Sequence, residues 1–100
     1  MYRKRVIKLI SITYQTDALG QRVPTETATE YTAEVDSVTR NEFFEAGKAG
    51  ITPEYRVTLN RLTYNGERIV EIDGERYGVY RAYERSPFVI ELYCERKGGI

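Results

Sequence analysis

Few residues in this chain could do chemistry, and their types narrow the choice quickly. There is no histidine, which removes the commonest general base and the commonest metal ligand. The single cysteine, Cys94, falls at an inward-facing position of an alternating segment and reads as a buried structural thiol. No second cysteine is present to complete a zinc site or an internal disulfide. Glu71 and Asp73 are close enough to suggest a carboxylate pair, but they flank a turn, and a hairpin edge accounts for both. Gly47-Lys48-Ala49-Gly50 has the composition of a phosphate loop without the Walker spacing or the serine or threonine that should follow. Catalysis, a cofactor and a metal are therefore not expected. Tyr80-Arg81-Ala82-Tyr83-Glu84-Arg85 mixes aromatic and basic side chains, the ingredients with which small barrels stack single-stranded nucleic acid. Glu84, Glu91 and Glu95 lie close by, however, and a formal net charge of zero weakens attraction to phosphate.

The elements that position these residues are mostly strands. Val6 to Tyr14 is apolar on both faces for part of its length, so it is expected to be covered twice, by the core and by a helix or neighbouring chain. Gln15 to Thr27 reads as a polar connection, with turns at Leu19-Gly20 and Val23-Pro24. From about Thr29 to Val38, Tyr31, Ala33 and Val35 alternate with Thr32, Glu34 and Asp36, the pattern of a half-buried antiparallel strand. Tyr55 to Leu62 repeats it with Tyr55, Val57 and Leu59. Asp73-Gly74 supplies the positive φ angles of a two-residue type I′ turn. That turn sets Val70 opposite Tyr77, Glu71 opposite Arg76 and Ile72 opposite Glu75. Asn65-Gly66 marks another turn. Phe88 to Glu95 places Phe88, Ile90, Leu92 and Cys94 on one face and Glu91, Tyr93 and Glu95 on the other. Lys97 to Ile100 reads as a loose tail. Six short strands without a βαβ rhythm predict an all-β fold, a small antiparallel barrel or sandwich formed by one domain over 1–100.

One helix interrupts the strands. Thr39 and Glu42 have the spacing of a capping box, Val38 and Phe43 that of a hydrophobic staple, and Gly47 suits the left-handed residue that ends a helix. A short helix and loop over 39–54, inserted between the second and third strands, is expected to recognise a partner.

Composition sets the class. One hundred residues with 41% hydrophobic side chains suffice for one globular domain. Nine tyrosines against three phenylalanines suit half-buried strand positions and subunit contacts. Charge is uneven along the chain: residues 1–16 carry Arg3, Lys4, Arg5 and Lys8 with no acid, while 17–45 carry seven acids against Arg22 and Arg40. In a symmetric assembly such segments could form basic and acidic faces that dock head to tail. Apolar runs near the start are broken by Lys8, so no membrane span is expected, nor is a signal peptide. The lone cysteine fits a reducing cytosol.

The order of motifs resembles a known family. Thr16-Asp17-Ala18-Leu19-Gly20, Ala33-Glu34-Val35 and Ser37-Val38-Thr39-Arg40-Asn41-Glu42-Phe43-Phe44-Glu45-Ala46-Gly47 are followed by the Tyr55–Arg61 strand. Arg68-Ile69-Val70, Gly74-Glu75-Arg76-Tyr77-Gly78-Val79-Tyr80-Arg81 and Ile90-Glu91-Leu92-Tyr93 complete the series. From about residue 5 to 97 this resembles the head–tail joining, or head-closure (stopper), proteins of long-tailed bacteriophages. The resemblance implies a β-barrel subunit of a homo-oligomeric ring, dodecameric or hexameric, in the virion neck between the portal-bound adaptor and the tail. Such a ring retains double-stranded DNA without reading its sequence. By the same resemblance Ala46, Gly47, Lys48, Ala49, Gly50, Ile51, Thr52 and Pro53 would form a channel gate. Val38, Thr39, Glu42, Phe43 and Phe44 would anchor the helix against barrel or neighbour. Arg3, Lys4, Arg5, Glu34, Asp36, Tyr80 and Tyr93 are candidates for docking surfaces. The alternatives are another neck or tail ring protein, a tail terminator or adaptor, and a single-strand nucleic-acid-binding barrel.

Overall fold

Inward-facing aliphatic residues at every second position draw six strands around one core in the computed structural model, which describes residues 4–96. In chain order the elements are β1 (Lys4–Thr16), β2 (Arg22–Ser37), α1 (Arg40–Lys48), β3 (Pro53–Asn60), a 3-10 turn (Arg61–Thr63), β4 (Ile69–Ile72), β5 (Glu75–Glu84) and β6 (Val89–Arg96). Every pairing is antiparallel, and the strands close into a barrel in the order β1-β2-β3-β6-β5-β4. Of the small antiparallel barrel or sandwich predicted, the barrel is the fold observed, with a helix between its second and third strands.

Ile7, Leu9, Ala33, Val35, Val57, Leu59, Val70, Ile72, Tyr77, Ile90, Leu92 and Cys94 make the core. Tyr31 and Tyr55 pack on its margin, and the Tyr55 and Tyr77 rings meet edge to face at 5.3 Å. The β4–β5 hairpin has the register read from Asp73-Gly74: Val70–Tyr77, Glu71–Arg76 and Ile72–Glu75. Asp73 and Gly74 have φ of 51° and 80°, as a type I′ turn demands.

Four local expectations need correction. The segment read as a polar connection is mostly strand: β1 runs on to Thr16 and β2 begins at Arg22, paired without a break from Lys4–Glu34 to Thr16–Arg22. Only Asp17 to Gln21 turns, with the Asp17 carboxylate accepting from the backbone N–H groups of Leu19 (2.9 Å) and Gln21 (2.8 Å). Such local bonding suits Asp to a turn, whereas the β-branched Thr13, Thr16, Val23, Thr25 and Thr27 around it favour strand. Val23-Pro24 lies inside β2, with Pro24 opposite Tyr14, on a stretch that among the described residues has a strand neighbour on one side only and so tolerates proline.

The third strand ends at Asn60 because Asn60 Oδ1 accepts from the Leu62 N–H at 2.9 Å and starts the 3-10 turn. Phe88 lies before β6 and is 72% exposed rather than inward. Glu91 and Tyr93, expected on the face away from Ile90, Leu92 and Cys94, are on that face but buried, because side chains from β5 and the segment after it cover that side of β6. The tail expected at 97–100 and the docking candidate Arg3 lie outside the described residues.

The barrel is not the whole shape. β1 pairs with β4 only from Ile7–Ile72 to Ile10–Ile69, and β2 with β3 only from Glu34–Thr58 to Ser37–Tyr55. Beyond those limits β1 and β2 continue as a two-stranded ribbon, and the molecule is 50 Å long against 29 and 26 Å in the other directions.

Candidate interaction site

The helix–loop insertion is fixed to the barrel at one carboxylate. Thr39 caps α1: it is extended (ψ 161°) and its Oγ1 accepts from the Glu42 N–H at 3.2 Å. The other half of the expected capping box is replaced. Glu42 turns its carboxylate to β5, where Oε2 accepts from the Tyr80 hydroxyl at 2.7 Å and Oε1 pairs with the Arg81 guanidinium. A bulge makes this double grip possible. The β5–β6 register shifts between Val79–Cys94 and Arg81–Tyr93, leaving Tyr80 without an opposite residue. An extra residue lets two successive side chains reach the same region.

Beneath the grip lies a polar and aromatic layer on the outside of β6. The Arg81 guanidinium sits 4.1 Å above the Tyr93 ring, and the Tyr80 and Tyr93 rings are 6.3 Å apart. The Tyr93 hydroxyl donates to Glu91 Oε1 at 3.1 Å, and Arg85 binds Glu91 Oε2 at 3.2 Å. Burial first, then the hydrogen bond to Glu42, pushes the Tyr80 hydroxyl far above the ordinary tyrosine value. Burial and Glu91 raise Tyr93 in the same way. Burial alone pushes the Cys94 thiol up to about 12, so it holds little reactive thiolate at neutral pH.

The helix ends later than its sequence suggests. Gly47, expected as the left-handed terminal residue, lies inside α1, and Gly50 takes that conformation with φ 78°. The Ile51 N–H donates to the Ala46 carbonyl and the Gly50 N–H to the Gly47 carbonyl, each at 3.0 Å, the paired bonds of a Schellman close. The candidate gate from Ala46 to Pro53 is therefore divided. Ala46, Gly47 and Lys48 are helical, Pro53 opens β3, and only Ala49 to Thr52 connect them. Ala46 is buried, and Ile51 bends back to line a groove of about 710 Å³ with Ile10, Ile12, Ile69, Val79 and Tyr80.

The two phenylalanines point elsewhere. Glu42 and Ala46, four residues apart, share the barrel side of α1, so Phe43 and Phe44 are left 47% and 61% exposed. Their rings meet edge to face at 6.2 Å. Val38 is half-buried. Neither ring belongs to the barrel core.

Separate acidic and basic faces do not survive folding, because the oppositely charged segments hairpin onto each other. Lys4 stands opposite Glu34 and Lys8 opposite Glu30. Arg5 pairs with Asp73 (3.3 Å), Lys8 with Glu71 (3.6 Å), Arg56 with Asp36 (3.6 Å) and Lys48 with Glu45 (3.2 Å). Of the docking candidates, Tyr80 and Tyr93 lie together beneath α1, while Lys4, Arg5, Glu34 and Asp36 are spread over strand ends.

Sequence reasoning missed the grip of Tyr80 and Arg81 on Glu42, which spans 38 residues and depends on a bulge that leaves no local signal. It also missed the ribbon, for which the alternating β-branched residues on both sides of Asp17 to Gly20 were the available sign. Among the described residues no group of three His, Cys, Asp or Glu side chains could hold a metal ion, and no helix is long and apolar enough to cross a membrane. Compared with known proteins, the chain matches no protein-family model and no curated protein.

Proposed function

We propose that this protein is a structural, non-enzymatic ring subunit, located in the neck of a long-tailed bacteriophage between the portal-bound adaptor and the tail. One observation carries the assembly part of this reading: a clamped helix holds two adjacent aromatic rings, Phe43 and Phe44, out into solvent. The barrel core is complete without them, and a helix held by a doubly bonded carboxylate keeps them in a fixed place. Rigid exposed aromatics are the usual anchors of protein–protein contacts. The neck location rests on the ordered motif resemblance from residue 5 to 97.

In this reading α1 and the Ala49–Thr52 connection face the channel or a neighbouring subunit, and DNA is met without sequence readout. Because most acids and bases are paired within the subunit, docking to adaptor and tail is chiefly apolar and only weakly salt-dependent. Nucleic-acid stacking by Tyr80 and Arg81 draws less support, since Glu42 occupies both side chains and Glu91 holds Arg85.

Electron microscopy of the purified protein mixed with a portal–adaptor complex tests the proposal. Added rings at the adaptor face are expected, and they should be lost in a Phe43→Ser/Phe44→Ser variant that still folds. A wild-type protein that leaves the complex bare, or that binds oligonucleotides with a steep salt dependence, overturns it.

A further inference from the structure

The chain has three asparagines, Asn41, Asn60 and Asn65, and the fold sets one of them apart. An asparagine side chain can lose its amide when the main-chain nitrogen of the next residue attacks it, so the bonding of that nitrogen matters. After Asn41, the Glu42 N–H donates to Thr39 Oγ1 at 3.2 Å. After Asn60, the Arg61 N–H donates to the Phe88 carbonyl at 3.0 Å, and the Asn60 side-chain oxygen is itself engaged by the Leu62 N–H. After Asn65, the Gly66 N–H has no acceptor among the described residues. Asn65 is exposed, in the connection between the 3-10 turn and β4. Gly66 has no Cβ to hinder an approach, and no heavy atom lies within 4 Å of where one would stand. Its φ of 84° suits glycine and strains other residues, so the turn itself calls for glycine after Asn65.

We propose that Asn65 is a site of spontaneous deamidation, at which the exposed amide ages to isoaspartate or aspartate. The Gly66 nitrogen gives its proton to water or hydroxide and attacks the Asn65 side-chain carbonyl carbon. A nitrogen–carbon bond forms and the bond from that carbon to Nδ2 breaks. Nδ2 takes a proton from water and leaves as ammonia, and a five-membered succinimide remains. Water then opens the ring. Opening at the side-chain carbonyl leaves aspartate; opening at the main-chain carbonyl leaves isoaspartate, whose main chain runs through Cβ. Water is the only co-reactant, and nothing is oxidised or reduced. This chemistry needs neither a ring nor a virion.

The site lies in a tied loop, so the change has a structural consequence. The Asn65 N–H donates to both Glu67 carboxylate oxygens, at 3.1 and 3.2 Å. The Tyr64 hydroxyl donates to the Glu67 carbonyl at 2.8 Å, and the Val79 N–H to the Arg68 carbonyl at 2.8 Å. Either product sets a second carboxylate close to Glu67, and isoaspartate also lengthens the main chain by one carbon before Gly66. Like charges in so small a loop repel, so the tie between positions 65 and 67 loosens while the two outer ties hold. Gly66, Glu67 and Arg68 line the same groove as Ile10, Ile51 and Ile69. An aged copy therefore presents a more acidic, less ordered wall there, and its formal net charge falls one unit below zero.

The test holds the folded full chain in mildly alkaline buffer for several days, then applies isoelectric focusing and peptide mapping with isoaspartate detection. An acidic form is expected to accumulate, with the change confined to Asn65 and isoaspartate exceeding aspartate. Asn41 and Asn60 should keep their amides. Hydroxylamine added under the same conditions should trap the succinimide and cut the chain between Asn65 and Gly66. Asn65→Gln should abolish the acidic form and the cut together. In the aged fraction, NMR amide shifts should be confined to residues 64–68 and the groove; unchanged signals there would overturn the loosened loop. A native Asn65 that keeps its amide overturns the proposal, whether or not the urea-unfolded chain loses it. Loss at Asn41 or Asn60 as fast as at Asn65 also overturns it, because the free Gly66 N–H would then select nothing.

Discussion

The Tyr80 hydroxyl donates to Glu42 Oε2 at 2.7 Å, joining a bulge in the eighth decade of the chain to the first turn of α1. With Arg81 on the other carboxylate oxygen, it forms the main polar tie between the helix and the barrel. The bond shapes the outside of the molecule as well as the local structure, because it fixes the barrel side of α1 and so leaves Phe43 and Phe44 exposed.

Replacing Glu42 by Ala is expected to free the helix without unfolding the barrel. Tyr80 and Arg81 lose their acceptor in a partly buried place, a loss of about 1–3 kcal/mol. Amides of Arg40 to Lys48 should exchange faster, while those of Val57 and Leu92 in the core ladder change little relative to global stability. Hydrogen exchange read residue by residue checks this. Uniform acceleration across the barrel would mean that α1 is part of the cooperative core.

Acid should loosen the ribbon where Arg76 on β5 clasps Glu26 on β2. The hydrogen bond from Arg76, more than its charge, holds the Glu26 carboxyl below the ordinary glutamate value of 4.5. A folded-state value below the unfolded one means the clasp contributes fully above pH 4.5 and is lost as pH falls through the lowered folded value. A carboxyl-carbon titration by NMR should place Glu26 below 4.5, and Arg76→Ala should return it there. An unshifted wild-type midpoint would show that the clasp is not kept in solution.

Where the chain could be read from sequence, two or more local signals agreed. Asp73-Gly74 named a turn type, and the flanking residues put the apolar Val70–Tyr77 pair and the Glu71–Arg76 pair on opposite faces, so the β4–β5 register followed. Thr39 marked the helix start for the same reason. The helix end did not follow, because Gly47 and Gly50 both fit and only the return of Ile51 over the barrel selects the later one. Glu42 is the sharper case. Its spacing from Thr39 satisfied a local rule, yet a pair of donors 38 and 39 residues away took the carboxylate. Burial of Glu91 and Tyr93 was hidden likewise: strict alternation says outside, but outside is not wet where Tyr80, Arg81 and Arg85 cover it.

Gly50 carries the end of α1, so Gly50→Ala is expected to lower stability by about 1 kcal/mol. No heavy atom lies within 4 Å of where a Cβ would stand, so the cost comes from φ 78° and not from a clash. Gly47→Ala, inside the helix and equally open, should instead stabilise by several tenths of a kcal/mol, roughly the propensity difference. Urea denaturation of the two variants gives shifts of opposite sign if the helix runs to Lys48. A destabilising Gly47→Ala would restore Gly47 as the terminal residue.

Leu92 and Phe44 are both large apolar side chains, and the fold treats them oppositely. Leu92 is fully buried on β6, whereas Phe44 is 61% exposed on α1. Leu92→Ala should cost about 2–5 kcal/mol, since it removes buried groups and leaves a cavity. Phe44→Ser should change stability by only about 0.5 kcal/mol, as most exposed substitutions do. If the helix exists to present its aromatics, binding should follow the reverse order. Chemical denaturation and ring formation on a portal–adaptor complex, measured on both variants, should therefore give a stable protein that does not dock for Phe44→Ser. For Leu92→Ala they should give a weakened protein that still docks below its melting temperature. A Phe44→Ser protein that loses several kcal/mol would place that ring in the service of the subunit's own fold, and the assembly reading would lose the observation on which it stands.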